Sequence, residues 1–129
     1  MSDVFSTHGA FSWTELMTND VAAATDFYSE LFGWQIKDTD MGNMTYSVVS
    51  IGDQQIGGIM TIPEEAGAPP HWGGYVTVDD VDSVAARAVE LGGKLLVPAT
   101  DIPGVGRFCV VQDPQGATIS AITYNFEKS

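Results

Sequence analysis

WGGYVTVDDVDSVAARAVELGGKLL, residues 72–96, decides the fold because the chain carries an earlier version of it, SWTELMTNDVAAATDFYSELFGWQI, at residues 12–36. An offset of 60 matches an Asp-Val pair, a Glu-Leu pair and a glycine without a gap, ending with Gly33 on Gly93. Each version has the pattern of a strand, a helix that begins after an acidic residue, a glycine and a second strand. A repeat of this length indicates a duplicated supersecondary unit.

The repeat continues after the second strand with a slightly different offset. FCVVQDPQGATISAI, residues 108–122, lies over YSVVSIGDQQIGGI, residues 46–59, and an offset of 62 matches Val48-Val49 with Val110-Val111. Each half therefore has the element order β-α-β-β-β. We predict an α+β fold of two tandem βαβββ modules, residues 10–62 and 72–124, joined by the Pro-rich linker 63–71.

The two helices have matching start signals and apolar faces. Asp20 and Asp80 each precede an apolar run with helical spacing, which is typical of an N-cap carboxylate. We expect the apolar side chains of both helices to pack on their sheets; these are Val21, Ala24, Phe27, Tyr28 and Leu31 in the first helix, and Val81, Val84, Ala85, Ala88 and Leu91 in the second.

Composition excludes several classes of function. The formal net charge is −12, and such an acidic surface repels both nucleic acid and anionic lipid. No apolar run approaches the roughly 20 residues that span a bilayer, and the first residues lack the pattern of an export signal, so we predict a cytoplasmic protein. The single cysteine, Cys109, lies in an apolar run and is predicted to be a buried structural thiol.

Three further segments have simple structural interpretations. We expect residues 1–9, including His8, to be loose, and residues 99–106 to form a loop. Asp-Pro-Gln-Gly at 113–116 is predicted to be a turn, because proline and glycine supply the backbone angles that turns require.

The repeated pattern resembles the vicinal oxygen chelate superfamily, which includes glyoxalase I, bleomycin-resistance proteins and extradiol dioxygenases. The resemblance is carried by D-x6-F-Y-x-x-L-F-G at residues 20–33, V-D-D-V at 78–81, E-L-G-G at 90–93 and D-P-x-G at 113–116. It is nearest to the glyoxalase-like branch that includes mycobacterial antigen-type proteins. It implies a curved mixed sheet around a cleft, formed by two modules of one chain or across a dimer.

The resemblance also implies four metal-ligand positions, which metal-dependent members fill with His and Glu. Transferred by motif, these positions are Trp13, Gly58, Gly73 and Ser120. Trp and Gly side chains do not ligate divalent ions, and a lone serine hydroxyl is a poor ligand. We therefore predict no metal and no other cofactor, with a divalent metal in a shifted site as the alternative. The two glycines are expected to leave space on the floor of the cleft.

Glu15 and His71 are the candidate catalytic residues. Glu15 lies between two apolar residues on the strand face that family members turn toward the cleft, where a carboxylate could act as a general base or bind a cation. A structural role in the sheet is the alternative. His71 follows the prolines of the linker and could exchange protons near neutral pH, or be an exposed loop residue. The predicted ligand-binding residues are Trp13, Glu15, Gly58, Met60, Trp72, Gly73, Tyr75 and Ser120.

Three functions are compatible with these residues. The first is a glyoxalase-like protein without metal that binds a small apolar or aromatic molecule, for sequestration, sensing or acid/base chemistry. The second is a metal-dependent lyase or isomerase similar to glyoxalase I, built around Glu15 and His71. The third is an assembly protein whose own side chains fill the cleft. We also expect a homodimer, because open sheet edges favour pairing.

Overall fold

The computed structural model describes residues 3–40, 45–62, 69–102 and 105–125. These residues form two compact units. One comprises residues 13–62 with 69–73, and the other comprises residues 3–12 with 74–125. We call them the first and the second module. No helix in the described part of the chain is long and apolar enough to cross a membrane.

Each module contributes four strands and one helix in the predicted β-α-β-β-β order. In chain order the elements are β1 (Phe11–Thr18), α1 (Val21–Phe32), β2 (Gln35–Asp40), β3 (Thr45–Ile51), β4 (Gln54–Thr61), β5 (His71–Thr77), α2 (Val81–Glu90), β6 (Lys94–Ile102), β7 (Gly106–Gln112) and β8 (Thr118–Tyr124). The α+β class and the duplication predicted from the sequence are confirmed.

The strand order is the same in both halves. In the first, it is β2-β3-β4-β1, with β1 parallel to β4 and β3 antiparallel to both of its neighbours. In the second, it is β6-β7-β8-β5, with β5 parallel to β8 and β7 antiparallel to both of its neighbours. The connection from the first strand through the helix is what allows a parallel partner in an otherwise antiparallel sheet.

Both helices begin where the sequence predicts. The Asp20 carboxylate accepts a hydrogen bond from the backbone N–H of Ala23 at 3.0 Å, and Asp80 caps α2 in the same way. Gly33 ends α1 with φ 74°, and its N–H donates to the carbonyl of Ser29. These caps satisfy N–H and C=O groups that the helix itself leaves unpaired.

Each module has its own apolar core between the helix and the sheet. In the first, Leu16, Val49 and Ile59 are buried beneath α1. In the second, Cys109 and four aliphatic residues form the buried cluster; the four are Val78, Val81, Ala85 and Ala121. The burial predicted for Cys109 is confirmed, and burial raises the pKa of its thiol above the ordinary value.

Some predicted core residues are instead exposed. Phe27 and Leu31 of α1 are 59% and 56% exposed, and Leu91 is 63% exposed. The prediction was wrong for these three, because a helix of about three turns places only one stripe against a sheet. In α1 this stripe consists of Val21, Ala24 and Tyr28.

Two segments predicted to be irregular are ordered by pairing. β6 continues to Ile102 with two register shifts instead of becoming a loop at residue 99. Residues 3–10 are not loose: the backbones of Gly9 and Ala10 pair with Thr77, and the N–H of Asp79 donates to Nδ1 of His8 at 2.9 Å. Periodicity could not reveal either, because both depend on hydrogen bonds to distant strands.

The turn at residues 113–116 has the predicted chemistry. Oδ1 of Asp113 accepts from the backbone N–H groups of Gln115 and Ala117, and Gly116 has φ 103°. Its motif therefore has a structural role.

Candidate functional site

The side of the first sheet that faces away from α1 carries the most chemically distinctive side chains of the first module. Because strand residues alternate between faces, the residues next to buried Leu16 point to the opposite side. The same alternation applies on β3 and β4. We call this surface the Glu15 face; it comprises Trp13, Glu15, Met17, Tyr46, Val48 and Met60, all half-buried.

Three side chains of the Glu15 face form a hydrogen-bonded chain. The indole N–H of Trp13 donates to the hydroxyl oxygen of Tyr46 at 2.9 Å. That hydroxyl donates its own proton to Oε2 of Glu15 at 2.7 Å. A hydrogen bond from a phenol to a carboxylate is short and charge-assisted. The carboxylate therefore lies at the end of this hydrogen-bonded chain, and a phenolic proton is directed at it.

Gly58 makes this arrangement possible. It lies directly opposite Glu15 in the β1–β4 register. A Cβ at residue 58 would overlap the phenol of Tyr46, including its hydroxyl. Glycine therefore lets the tyrosine ring lie across the sheet and reach the carboxylate. The expectation that Gly58 leaves empty space is wrong, because Tyr46 occupies that space. At Gly73, by contrast, an added Cβ would meet nothing within 4 Å.

The second module has the same positions with different chemistry. Tyr75 lies opposite Ser120 in the β5–β8 register, as Glu15 lies opposite Gly58. Phe108, the repeat partner of Tyr46, has its ring centroid 6.4 Å from that of Tyr75. At the positions where the first module has a hydrogen bond between Tyr46 and Glu15, the second module therefore has a contact between two aromatic rings.

The N-terminal segment packs against this part of the second module. The hydroxyl of Thr77 donates to the carbonyl of Val4 at 2.6 Å, and the ring of Phe5 makes an edge contact with Tyr124 at 5.1 Å. The hydroxyls of Tyr124 and Ser12 are hydrogen-bonded at 2.8 Å, and burial raises the pKa of this tyrosine. The segment consequently occupies part of the surface on which Tyr75 lies.

The structure brings only some of the predicted site residues together. Trp13, Glu15, Gly58 and Met60 share the Glu15 face, and Tyr75 is paired with Ser120 in the second module. Their participation in ligand binding stays a prediction, as does that of Gly73.

Two predicted site residues lie elsewhere. Trp72 is on the helix side of the first module, where its ring contacts Tyr28 and Trp34. His71 is exposed, with Nδ1 2.8 Å from the carbonyl oxygen of Pro69. Alternation along β5 explains the position of Trp72, since adjacent strand residues point to opposite faces.

Tyr46 is the functional candidate that the sequence reasoning missed. It begins the segment that matches residues 108–122, so the repeat places it over an aromatic residue, Phe108. It is also two residues before Val48, which places both on the same strand face. These two signals mark Tyr46 as an aromatic residue on a defined face of its strand, whereas its contact with Glu15 depends on the register of β1, β3 and β4.

The donor set does not fit the divalent metal that the resemblance implies. Of the positions considered, Glu15 offers a carboxylate, which accepts a hydrogen bond from Tyr46, and His71 offers an imidazole whose Nδ1 lies 2.8 Å from the carbonyl oxygen of Pro69. Tyr75 and Ser120 offer neutral hydroxyls, and Gly58 and Gly73 offer no side-chain donor. Divalent ions in proteins are held by several carboxylate, imidazole or thiolate ligands, and one carboxylate with one imidazole falls short of that. The described residues also contain no group of three or more His, Cys, Asp or Glu suited to a metal.

A separate groove of about 520 Å³ lies beside the start of α2 in the second module. Among the described residues that line it, Arg107 is the cation; it donates two hydrogen bonds to the Asp82 carboxylate at 3.0 Å and a third to Asp101 at 3.1 Å. These contacts lower the pKa of Asp82 and raise that of Arg107. Arg107 therefore connects Asp82 and Asp101, and these hydrogen bonds are made within its own chain.

Comparison with known proteins identifies the family. The family model described as Glyoxalase/Bleomycin resistance protein/Dioxygenase superfamily matches residues 10–121. CFP32 of Mycobacterium tuberculosis is 38% identical over 115 residues, which cover 86% of this chain and 44% of that protein. The anthracycline biosynthesis protein DnrV of Streptomyces peucetius is 35% identical over 121 residues, which cover 94% and 44%. The chain thus spans under half the length of these two relatives.

A solved structure shows the same fold at much lower sequence identity. Methylmalonyl-CoA epimerase from Mycobacterium tuberculosis superimposes with a TM-score of 0.60 and 16% identity, covering 88% of this chain and 86% of that one. The family model covers residues 10–121, a range that includes nearly all of both βαβββ modules. The chain therefore belongs to the glyoxalase/bleomycin resistance protein/dioxygenase superfamily.

Proposed function

We propose that the Glu15 face binds a small, largely aromatic molecule that presents a hydrogen-bond donor or a positive charge to Glu15. The observation that carries this proposal is the hydrogen-bonded chain from Trp13 through Tyr46 to Glu15. Small-molecule sites typically combine apolar and aromatic walls with a few fixed polar groups. Met17 and Met60 supply adaptable apolar surface beside the fixed carboxylate.

Charge favours a neutral or cationic ligand over an anion. The chain carries 17 acidic and 5 basic side chains, so its field attracts cations and repels anions. A cation beside Glu15 would also lie near the aromatic rings of Trp13 and Tyr46, and aromatic rings attract positive charge. The relative DnrV is named for anthracycline biosynthesis, and anthracyclines are planar aromatic molecules, which agrees with a ligand of this kind.

The same geometry supports metal-independent acid/base chemistry on a bound molecule. Glu15 could accept a proton from a carbon or oxygen acid, and the hydroxyl of Tyr46, 2.7 Å from Oε2, holds the carboxylate in position for this transfer. The general acid/base role of Glu15 is the part of the proposal that makes the protein an enzyme. Binding alone, for sequestration or sensing, needs the same residues without turnover.

A fluorescence titration with three aromatic probes tests the ligand class. The probes are proflavine, which is cationic, 1-naphthol, which is neutral, and 1-anilinonaphthalene-8-sulfonate, which is anionic. We expect proflavine and 1-naphthol to bind more tightly than the sulfonate. Glu15→Gln should weaken proflavine binding about tenfold, because an ionic contact of roughly 1.4 kcal/mol is lost.

Two matched variants locate the binding. Glu30→Gln removes an exposed carboxylate from the same module, and Trp72→Phe alters a tryptophan outside the Glu15 face. Neither of these variants should change the affinity for proflavine. Trp13→Phe, which alters the Glu15 face itself, should weaken proflavine binding. Preference for the sulfonate, or equal effects of Glu15→Gln and Glu30→Gln, would contradict the proposed site.

Calorimetric titration with zinc, nickel and manganese tests the metal-dependent alternative. We expect no stoichiometric binding to protein prepared without a histidine tag. Tight binding of one ion that is abolished by Glu15→Gln would overturn the metal-free proposal and favour a lyase or isomerase similar to glyoxalase I. A metal site that includes His71 would also lose affinity in His71→Ala.

A further inference from the structure

A second surface of the first module is unusually apolar for the outside of a protein. It lies at the end of α1 and the starts of β2 and β5, on the helix side of the sheet. We call it the aromatic surface, and it comprises Phe27, Tyr28, Leu31, Phe32, Trp34 and Trp72. Phe27, Phe32 and Trp72 are 59%, 57% and 39% exposed.

The rings of the aromatic surface hold one another in place. Tyr28 is at the centre, stacked with Phe32 and Trp34 at centroid distances of 6.1 and 5.8 Å. It also makes an edge contact with Trp72 at 5.4 Å, and the indole N–H of Trp72 donates to its hydroxyl at 3.3 Å. A cluster braced in this way would lose little side-chain entropy on binding a partner.

The internal repeat shows that the fold does not require these aromatic residues. At an offset of 60, Phe27, Tyr28, Phe32 and Trp34 correspond to Arg87, Ala88, Gly92 and Lys94. The second module docks its helix through buried Val81 and Ala85, whereas no residue of α1 is fully buried. The more apolar helix is thus the less buried one, which is the opposite of what helix docking alone requires.

The exposed area is of the size that the core of a protein interface needs. Aromatic side chains bury roughly 150–250 Å² each. At the observed exposures, Phe27, Leu31, Phe32 and Trp72 together present roughly 400 Å². Two such surfaces in contact would bury roughly 800 Å² of apolar area, and a polar rim would extend this toward the roughly 1,200 Å² of small stable interfaces.

We propose that the aromatic surface is a self-association interface, and that its occupant is the aromatic surface of a second copy of this chain. A two-fold arrangement brings the same patch of both copies together, and an uncharged ring cluster is complementary to itself. It is also the kind of surface on which two chains of charge −12 can approach. Asp26 and Glu30, on the neighbouring stripe of α1, would form the acidic rim.

Sedimentation equilibrium across micromolar concentrations tests this interface. We expect a monomer–dimer equilibrium in the native chain, with dimer affinity increasing as sodium chloride screens the repulsion between the acidic copies. Phe27→Glu should weaken dimerisation at least about tenfold, because it places a charge in the desolvated centre of the interface.

Leu91→Glu is the matched control. Leu91 is the repeat partner of Leu31, is 63% exposed, and its replacement adds the same charge in the second module. It should leave the dimer affinity within about twofold of the native value. Circular dichroism of both variants establishes that the helices remain folded. Because Phe27 lies outside the Glu15 face, proflavine binding should be unchanged in Phe27→Glu, so that this proposal and the ligand proposal fail independently.

Three results would overturn the proposal. The first is a native chain that stays monomeric over the whole concentration and salt range. The second is an equal loss of affinity in Phe27→Glu and Leu91→Glu, which would indicate a general charge effect. The third is a dimer whose affinity neither variant changes, which would place the interface elsewhere. A native chain that stays monomeric and binds a different protein through its aromatic surface would also overturn the proposal.

Discussion

The two modules share one backbone topology but differ in their surface side chains, and the comparison shows which side chains the fold does not require. Both have the strand order of a parallel pair flanked by antiparallel neighbours. At the paired positions of the parallel strands, the first module has Glu15 opposite Gly58 and the second has Tyr75 opposite Ser120. A carboxylate held by a phenol is not needed to form the sheet, since the second copy forms the same sheet without one.

The helices show a similar contrast. α2 is short, has two buried residues and is capped by Asp80 with two backbone N–H donors. α1 is longer and more apolar, but its aromatic end remains on the surface. The duplicate again serves as the control: the second module forms the same fold without a counterpart of the Glu15–Tyr46 hydrogen bond or of the aromatic surface.

The largest expected effect concerns the cores. Ile59 is fully buried in the first module, where the second has Ala121. Ile59→Ala should reduce the free energy of unfolding by about 2–5 kcal/mol, because it removes buried methylene groups and leaves a cavity. Urea denaturation measures the change. Ile51→Ala is the control: the same substitution at a residue 57% exposed should cost under about 1 kcal/mol. An equal loss of unfolding free energy in both variants would show that Ile59 is packed less tightly than its burial indicates.

The next effect tests why glycine stands opposite Glu15. Gly58→Ala places a methyl group against the phenol of Tyr46 and should cost about 1–3 kcal/mol of stability, because the ring must move. Gly73→Ala, where an added Cβ meets nothing within 4 Å, should change stability by under about 1 kcal/mol. Thermal unfolding of both variants measures the difference. A neutral Gly58→Ala variant would show that Tyr46 is easily displaced.

A smaller effect separates the tyrosine hydroxyl from its ring. Tyr46→Phe gives the first module the residue that the second has at Phe108, and it should cost about 1–2 kcal/mol by removing the hydrogen bonds to Glu15 and Trp13. The emission of Trp13 should also shift, as its indole N–H loses this partner. Tyr124→Phe, which removes a hydrogen bond to the neutral hydroxyl of Ser12, should cost less. The reverse order would contradict a charge-assisted bond at Tyr46.

The smallest effect belongs to a contact that only the second module has. Arg107 pairs with Asp82, whose repeat partner is Ala22. Hydrogen bonding from Arg107 lowers the pKa of Asp82 below its ordinary value of 3.8. A lowered folded-state pKa contributes stability above pH 3.8 that is lost as the pH falls through the lower value. The melting temperature of Arg107→Gln should therefore be slightly below that of the native chain at pH 7. The gap should narrow below pH 3.8, and a gap that widens in acid would contradict this assignment.

The sequence by itself determined the duplication, the element order and the helix caps. These features depend on neighbouring residues: an acidic side chain before an apolar run, a glycine after it, and alternation along a strand. It also identified Glu15 as the candidate centre of the site and Cys109 as a buried thiol. The caps and the burial of Cys109 are properties of short segments, whereas the duplication came from comparing segments 60 residues apart and the choice of Glu15 rested also on the family resemblance; none of these requires knowing what lies across the sheet.

Tertiary structure alone decided which side chains meet. That Tyr46 fills the space at Gly58 follows from the register of β1, β3 and β4, and this register is set by pairing between distant segments. The exposure of Phe27 and Leu31 depends on which stripe of α1 contacts the sheet, and the order of residues 3–10 depends on Thr77. Local periodicity identifies the faces of an element, whereas the partner of each face is fixed only when the chain has folded, because packing and hydrogen bonding act between residues far apart in sequence.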